Sequence, residues 1–141
     1  MTEFSGAKVA ILQAGQVLTL LRDNRADIPF PNRWDLPGGG REGAETPVEC
    51  IMRETLEELS VPLCPAYLVW RRCYAGVLAG QGQTWFFVAI PPRAALSSIR
   101  LGAEGQSWRW QRASHYAGFD RAVPHLRVRL REYLDQMQGC P

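Results

Sequence analysis

Lysine is nearly absent from this chain of 141 residues: Lys8 is the single one among sixteen basic side chains, and the others are arginine. Net charge is only +2, which removes the general electrostatic case for duplex DNA or an anionic membrane as a partner. The histidines number two, His115 and His125, isolated in sequence and expected to be structural or solvent-facing. The four cysteines, Cys50, Cys64, Cys73 and Cys140, form no C-x-x-C or other metal-ligand spacing, so reduced thiols in the cytoplasm are the simplest reading. No apolar run approaches membrane-spanning length, and Met1 to Gly6 lacks the basic region and apolar core of a secretory signal. Repeats, low-complexity tracts and linker-like stretches are missing too. A single soluble domain over residues 1–141 is the expectation. The arginines suit bidentate phosphate contacts, although surface composition accounts for most of them.

What the chain does have is a glycine-rich stretch followed by a concentration of carboxylates. Thr46-Pro47-Val48-Glu49 is a helix start: Thr46 accepts from free amides, Pro47 suits the first helical position and Glu49 completes a capping box. At 100° per residue Glu54, Glu57 and Glu58 share an arc of about 100°, while Val48, Ile51, Met52, Thr55, Leu56 and Leu59 supply the side that packs on a core. Like charges so spaced repel by roughly 0.2 to 0.5 kcal/mol per pair, and acids in a last turn oppose the helix dipole. Arg53 to Glu57 is the one helpful pairing. A divalent cation removes the conflict, since clustered carboxylates are what Mg²⁺ or Mn²⁺ prefer. The plainer alternative is a solvated acidic face.

These residues resemble the Nudix box, G-x(5)-E-x(7)-R-E-U-x-E-E-x-G-U with U bulky and apolar. Gly39, Glu45, Arg53, Glu54, Glu57 and Glu58 match it, Val61 fills the last apolar position, Thr55 fits the first more mildly, and Ser60 replaces the final glycine. With each residue type near one in fifteen, six matches of seven arise by chance on the order of once in a million placements. The box spans residues 39–61. The resemblance to MutT-like members implies a Nudix fold, an α/β (α+β) sandwich with a mixed sheet between helices.

Periodicity along the rest of the chain is compatible with that fold. Lys8 to Gln13 and Gln16 to Arg22 read as a hairpin around Ala14-Gly15. Asp23 to Arg33 reads as a long loop, and Gly38 to Gly40 as glycine-rich loop suited to close approach of a ligand. Ala66 to Tyr74 and Gln83 to Ile90 form a second antiparallel pair, with Trp85-Phe86-Phe87-Val88 buried. Arg93 to Arg100 is a connector with a short strand near its end. In Ser107 to Gln111, Trp108 and Trp110 share one face and Arg109 and Gln111 the other. Val123 to Met137 places Leu126, Leu130, Tyr133, Leu134 and Met137 at helical spacing.

By resemblance the activity is hydrolysis of a nucleoside diphosphate linked to a group X. Glu54, Glu57 and Glu58 would hold Mg²⁺ (or Mn²⁺), with the backbone carbonyl of Gly38 as a further ligand. Glu104, in Glu104-Gly105-Gln106-Ser107-Trp108, looks like the later acidic residue of MutT-like sites. A carboxylate near metal-bound water serves as base, Glu54 first and Glu104 second. Arg53 orients the acids by pairing with Glu57 or Glu45. Secondary signatures for ADP-ribose, dinucleoside polyphosphates, coenzyme A or NADH have no good match: Tyr74 falls short of the usual tyrosine spacing and Gly76 stands near the proline's place. That leaves nucleoside triphosphates, cleaved to monophosphate and pyrophosphate. An oxidised guanine base is disfavoured, because the asparagine that reads it has no counterpart near the last helix; Asn24 and Asn32 are the only asparagines. Trp70, Trp85 and Phe86 are expected in the core rather than stacked on a base. The competing readings are a Nudix hydrolase of ADP-ribose or a dinucleoside polyphosphate, and a nucleotide-binding sensor without catalysis.

Overall fold

The computed structural model describes residues 3–138; Met1, Thr2 and residues 139–141, Cys140 among them, lie outside it. Strands β1 (Phe4–Gln13) and β2 (Gln16–Leu21) make the expected antiparallel hairpin. Its two-residue turn has φ of +50° at Ala14 and +79° at Gly15, the left-handed pair that matches hairpin twist. The first strand begins four residues before Lys8, since the backbone around Gly6 is claimed from both sides: Gly6 is opposite Gly40 on one flank and Thr84 on the other.

Trp34–Asp35 forms the short strand β3 after the long loop, and Gly38–Gly40 forms β4. The glycines are therefore not the loop their composition indicates. They pair antiparallel with β1 in the register Lys8 to Gly38, Ala7 to Gly39 and Gly6 to Gly40. Side chains would prevent this approach: a Cβ on Gly38, whose φ is +139°, would run into the Ala7 carbonyl oxygen, and one on Gly39 into the Glu54 carboxylate.

Helix α1 (Pro47–Leu59) starts where its capping box dictates: the Glu49 N–H donates to Thr46 Oγ1 at 3.2 Å, and the Thr46 N–H donates to Glu49 Oε1 at 2.8 Å. Cys50, Ile51, Thr55 and Leu59 are its buried positions. Leu56, expected in the core, is 56% exposed, because the inward arc runs from Cys50 through Thr55 and Leu56 falls beyond it. Glu54 and Glu58 lie inside that arc, so this acidic face looks toward the protein.

The remaining strands are β5 (Leu68–Ala75), β6 (Gln83–Ala89) and β7 (Ser107–Arg112). They complete a seven-stranded mixed sheet of order β3-β2-β1-β6-β5, with β4 on β1 and β7 on β2. Only the β1–β6 pairing is parallel among these named strands. Residues 93–96 make a 3-10 turn rather than leading into the expected strand. A single-turn helix α2 (Ala113–Tyr116) precedes α3 (Pro124–Gln138); four residues are too few for a helical period to register in sequence.

Alternate residues of β1 and β6 feed two cores. Val9, Ile11, Phe87 and Ala89 pack under α1, while Ala10, Phe86 and Val88 pack under α3 with Leu126 and Leu130. Helices on both faces of a mixed sheet are the architecture expected. Trp70 packs edge-on against Phe86 and Tyr133, and Trp85 stacks with Phe87, so these aromatics serve packing. Met137, by contrast, is 47% exposed, and Arg129 takes a buried place on α3. Cys50, Cys64 and Cys73 are free thiols. Among the described residues no helix is long and apolar enough to cross a membrane.

Helix α1 ends on Ser60 in left-handed backbone, φ +57°, with its N–H on the Leu56 carbonyl. A non-glycine residue there carries a Cβ penalty. Ser60→Gly is expected to stabilise the fold by about 0.5 to 1 kcal/mol, seen as a melting temperature roughly 2 to 4 °C higher; an unchanged or lower value would show that Ser60 carries no such penalty.

Candidate functional site

The backbone of one residue, Gly38, joins the glycine strand to both the sheet and the acidic helix. The Gly38 N–H donates to Glu58 Oε1 at 2.7 Å, and the Gly38 carbonyl accepts from Lys8 Nζ at 3.2 Å. Lys8 also donates to the Leu36 carbonyl at 3.2 Å and to Asp35 Oδ2 at 2.9 Å, so its three protons each have an acceptor. Arg22 Nη1 reaches the same Asp35 oxygen at 2.8 Å, and Asp35 Oδ1 accepts the Leu36 N–H at 2.8 Å. Burial alone would raise the Asp35 carboxyl's pKa; the Lys8 and Arg22 charges outweigh it and hold the group below its usual value.

Around α1 a second cation organises the acids. Arg53 donates from Nε to Glu45 at 2.7 Å, from Nη1 to Glu54 at 2.7 Å and to Glu57 at 3.2 Å, and from Nη2 to the Gly40 carbonyl at 2.8 Å. Of the two expected partners, Glu57 and Glu45, both are present, with Glu54 added. The Glu45 hydrogen bond, first among several contacts, holds Arg53 above its ordinary pKa, and Arg53 in turn lowers that of Glu45. Glu57 is the outermost acid, with its side chain 57% exposed. Glu58 is the innermost. Burial pushes its carboxyl up to about 7, against the pull of Lys8 and of the Gly38 N–H.

Glu58 and the exposed Glu104 line one cavity of about 120 Å³, together with Asp23, Asp35, Arg22 and Arg25. The structure therefore brings Glu58, Glu104 and the Gly38 backbone to one place and sets Glu54 and Glu57 beside them on Arg53. Among the described residues no three His, Cys, Asp or Glu side chains converge on a single metal position; Arg53 and the Gly38 N–H occupy the carboxylates instead. The donor set is nonetheless all oxygen, from carboxylates and one carbonyl, which is the chemistry that Mg²⁺ and Mn²⁺ take. A desolvated carboxylate such as Glu58 is the kind of group a cation stabilises.

Sequence reasoning missed Lys8, Asp35 and Arg22. Each sits in a strand or at a strand end that reads as packing, and only the β1–β4 and β2–β3 pairings bring the three together. Being the one lysine was the available signal for Lys8. Both histidines pack against aromatics with tilted rings, His115 on Phe119 with centroids 4.7 Å apart and His125 on Phe30 at 5.5 Å. Burial, then the Arg129 and Lys8 charges, push His125 down to about 4, with Asp35 opposing.

Comparison with known proteins adds the family. The NUDIX domain family model matches residues 4–133, and the chain belongs to that family. An RNA pyrophosphohydrolase of Cereibacter sphaeroides is 28% identical, over 70% of this chain and 73% of the relative. The MutT NUDIX hydrolase of Burkholderia pseudomallei superposes with a TM-score of 0.70 at 21% identity, covering 92% of this chain and 98% of that one. A bifunctional NMN adenylyltransferase/ADP ribose pyrophosphatase of Francisella tularensis, complexed with AMP and a manganese ion, gives 0.72 at 17% identity, over 99% of this chain and 42% of that one. The protein is a hydrolase acting on pyrophosphate bonds, of a family that acts on nucleotides and generally uses divalent metals.

Asp35→Asn leaves Lys8 and Arg22 facing an uncharged amide and is expected to cost roughly 3 kcal/mol in urea unfolding; a loss under about 1 kcal/mol would mean that both cations find water instead. His125 is held neutral in the folded state, with its pKa below the usual 6.5. Its contribution to stability is therefore full above pH 6.5 and is lost as pH falls through about 4. His125→Gln should lose less melting temperature than the parent protein across that interval, and equal losses would contradict the assignment.

Proposed function

We propose that the protein hydrolyses nucleoside 5′-triphosphates in a Mg²⁺-dependent reaction, with water attacking at phosphorus to release a nucleoside monophosphate and pyrophosphate. The observation that carries this reading is the backbone of Gly38, tied to Glu58 through its N–H and to Lys8 through its carbonyl, beside a cavity that also holds Glu104, Arg22 and Arg25. Acids and arginines in one cavity suit a metal and a polyanion together. Glu54, Glu57, Glu58, Glu104 and the Gly38 carbonyl are the residues that would hold Mg²⁺ or Mn²⁺, which supplies a lowered water pKa and charge neutralisation on the phosphates.

The chain's own residues do the rest. Arg22 and Arg25 face the phosphate oxygens, where a planar guanidinium offers paired donors. Arg53 keeps Glu54 and Glu57 in place against their mutual repulsion. Glu54 takes the proton of the attacking water, with Glu104 as the other carboxylate within the site. The likeness to an RNA pyrophosphohydrolase favours a second reading, in which the same triphosphate is the 5′ end of an RNA. Scoring nucleotides, ADP-ribose, dinucleoside polyphosphates and 5′-triphosphorylated RNA for pyrophosphate and monophosphate products separates the two.

Glu57→Gln and Glu58→Gln are each expected to lower kcat on the order of a hundredfold or more while circular dichroism shows a folded protein, and chelation of the metal should abolish turnover. Full turnover in both variants would sink the proposal.

A further inference from the structure

Beside the acidic cavity lie two more, and the three form a series. The acidic one shares Arg22 and Asp35 with a middle cavity of about 100 Å³. The middle one shares Lys8, Gln81 and His125 with a third of about 150 Å³. Their chemistries differ in a definite order. The middle cavity has Phe30 and His125 in contact, their rings tilted by 49° with centroids 5.5 Å apart, and Val77, Leu78 and Leu126 as further walls. Val77 and Leu78 are 50% and 40% exposed in the turn between β5 and β6, apolar surface that none of the described residues covers. An aromatic and apolar wall of that kind takes a planar base.

The third cavity contains no carboxylate. Its polar lining is Lys8, Arg129, His125, Gln81, Thr84 and the backbone of Gly39-Gly40. Arg129 is 5% exposed, and among the described residues no carboxylate lies within ion-pair distance of it. Its guanidinium donates to Thr84 Oγ1 and to the Ala75 carbonyl, both at 3.2 Å, and lies 4.5 Å over the Tyr74 ring. Those two bonds use two of five N–H donors. A buried cation without a counter-ion is costly, and burial accordingly lowers the Arg129 pKa. Gln81 Oε1 accepts the Val77 and Leu78 N–H groups at 3.1 and 3.3 Å, which leaves its amide nitrogen as a donor.

The geometry points to a subsite at Arg129 and Gln81, beside the positive charge of Lys8, for a second phosphate, one carried on the 3′ oxygen of the nucleotide whose 5′-phosphates occupy the Glu58 cavity and whose base lies against Phe30. This rests on the reading of the Glu58 cavity as the phosphate-cleavage site. Acidic with metal, apolar, then basic is the order in which such a nucleotide presents its 5′-phosphates, its nucleoside and its ribose phosphate. The shared chemistry is a ribose phosphate, either a terminal monoester or the diester that continues an RNA chain.

Binding of product-like ligands, which need no turnover, tests this. The wild-type protein with Mg²⁺ is titrated calorimetrically with nucleoside 5′-monophosphate, nucleoside 3′,5′-bisphosphate and the 5′-phosphorylated dinucleotide, in adenosine and guanosine series. The bisphosphate is expected to bind about tenfold tighter than the monophosphate or better in at least one series. A gain for the bisphosphate alone assigns the monoester; a gain for the dinucleotide as well assigns the diester. Arg129→Gln should bring the ratio near one. Should that variant fail to fold, Gln81→Glu decides, because it keeps an acceptor for Val77 and Leu78 and sets a carboxylate in place of the amide donor. No gain in either wild-type series, or a gain that survives Gln81→Glu, overturns the subsite. Turnover without the preference removes the subsite and keeps the hydrolase reading; the preference without turnover does the reverse.

Discussion

The Gly38 backbone, whose N–H is held by Glu58 and whose carbonyl is held by Lys8, is the contact on which the site depends. It fixes how β4 lies on β1 and thereby how α1 lies on the sheet. The glycines constrain the register: a slip of one residue that brought Pro37 opposite Lys8 would set a side chain where the Ala7 and Lys8 backbone leaves no room. The same backbone also makes the burial of Glu58 tolerable. An isolated buried carboxylate costs several kcal/mol, and here one backbone donor and one nearby ammonium offset part of that. Strand pairing and carboxylate placement are consequently one arrangement.

The choice between arginine and lysine follows the same geometry. Arg53 must reach Glu45, Glu54, Glu57 and the Gly40 carbonyl at once, and a flat fork of five donors does so where a point charge would satisfy fewer. Around Lys8 the three acceptors, Asp35 Oδ2 and the Leu36 and Gly38 carbonyls, surround a small volume. A compact ammonium on an unbranched stem fits there.

What could be read from the sequence was local in range. The capping box at Thr46 and Glu49, the three-residue and four-residue spacing of Glu54, Glu57 and Glu58, the Ala14-Gly15 turn and the alternation of Trp108 with Arg109 all depend on neighbours within a turn or a strand. Each has its expected form in the structure. The features that were missed are products of pairing at long range. Gly38 to Gly40 read as loop because glycine has low strand propensity, yet β1 recruits them across some thirty residues. Lys8 read only as the start of a strand, and Arg129 was not singled out among the arginines. The fold came through because family pattern and periodicity agreed; the charge partners did not, because no spacing rule connects residue 8 to residue 35 or residue 84 to residue 129.

Segregation of charge explains why the acids of α1 and the cations beyond β4 do not simply neutralise one another. At an effective dielectric of about 20 two opposite charges 4 Å apart attract by roughly 4 kcal/mol, enough to collapse a site whose parts can meet. They are kept apart by the glycine backbone, with Lys8 already bound to Asp35 on its far side. The acids ride on α1 and the β7-preceding loop, whereas Arg129, His125 and Gln81 belong to α3 and the β5–β6 turn. On the subsite proposed above, chemistry and recognition sit on different elements joined through one lysine. Changes in the turn or on α3 would then alter which nucleotide is held without moving a single carboxylate of the box, one way for a fold to serve different substrates.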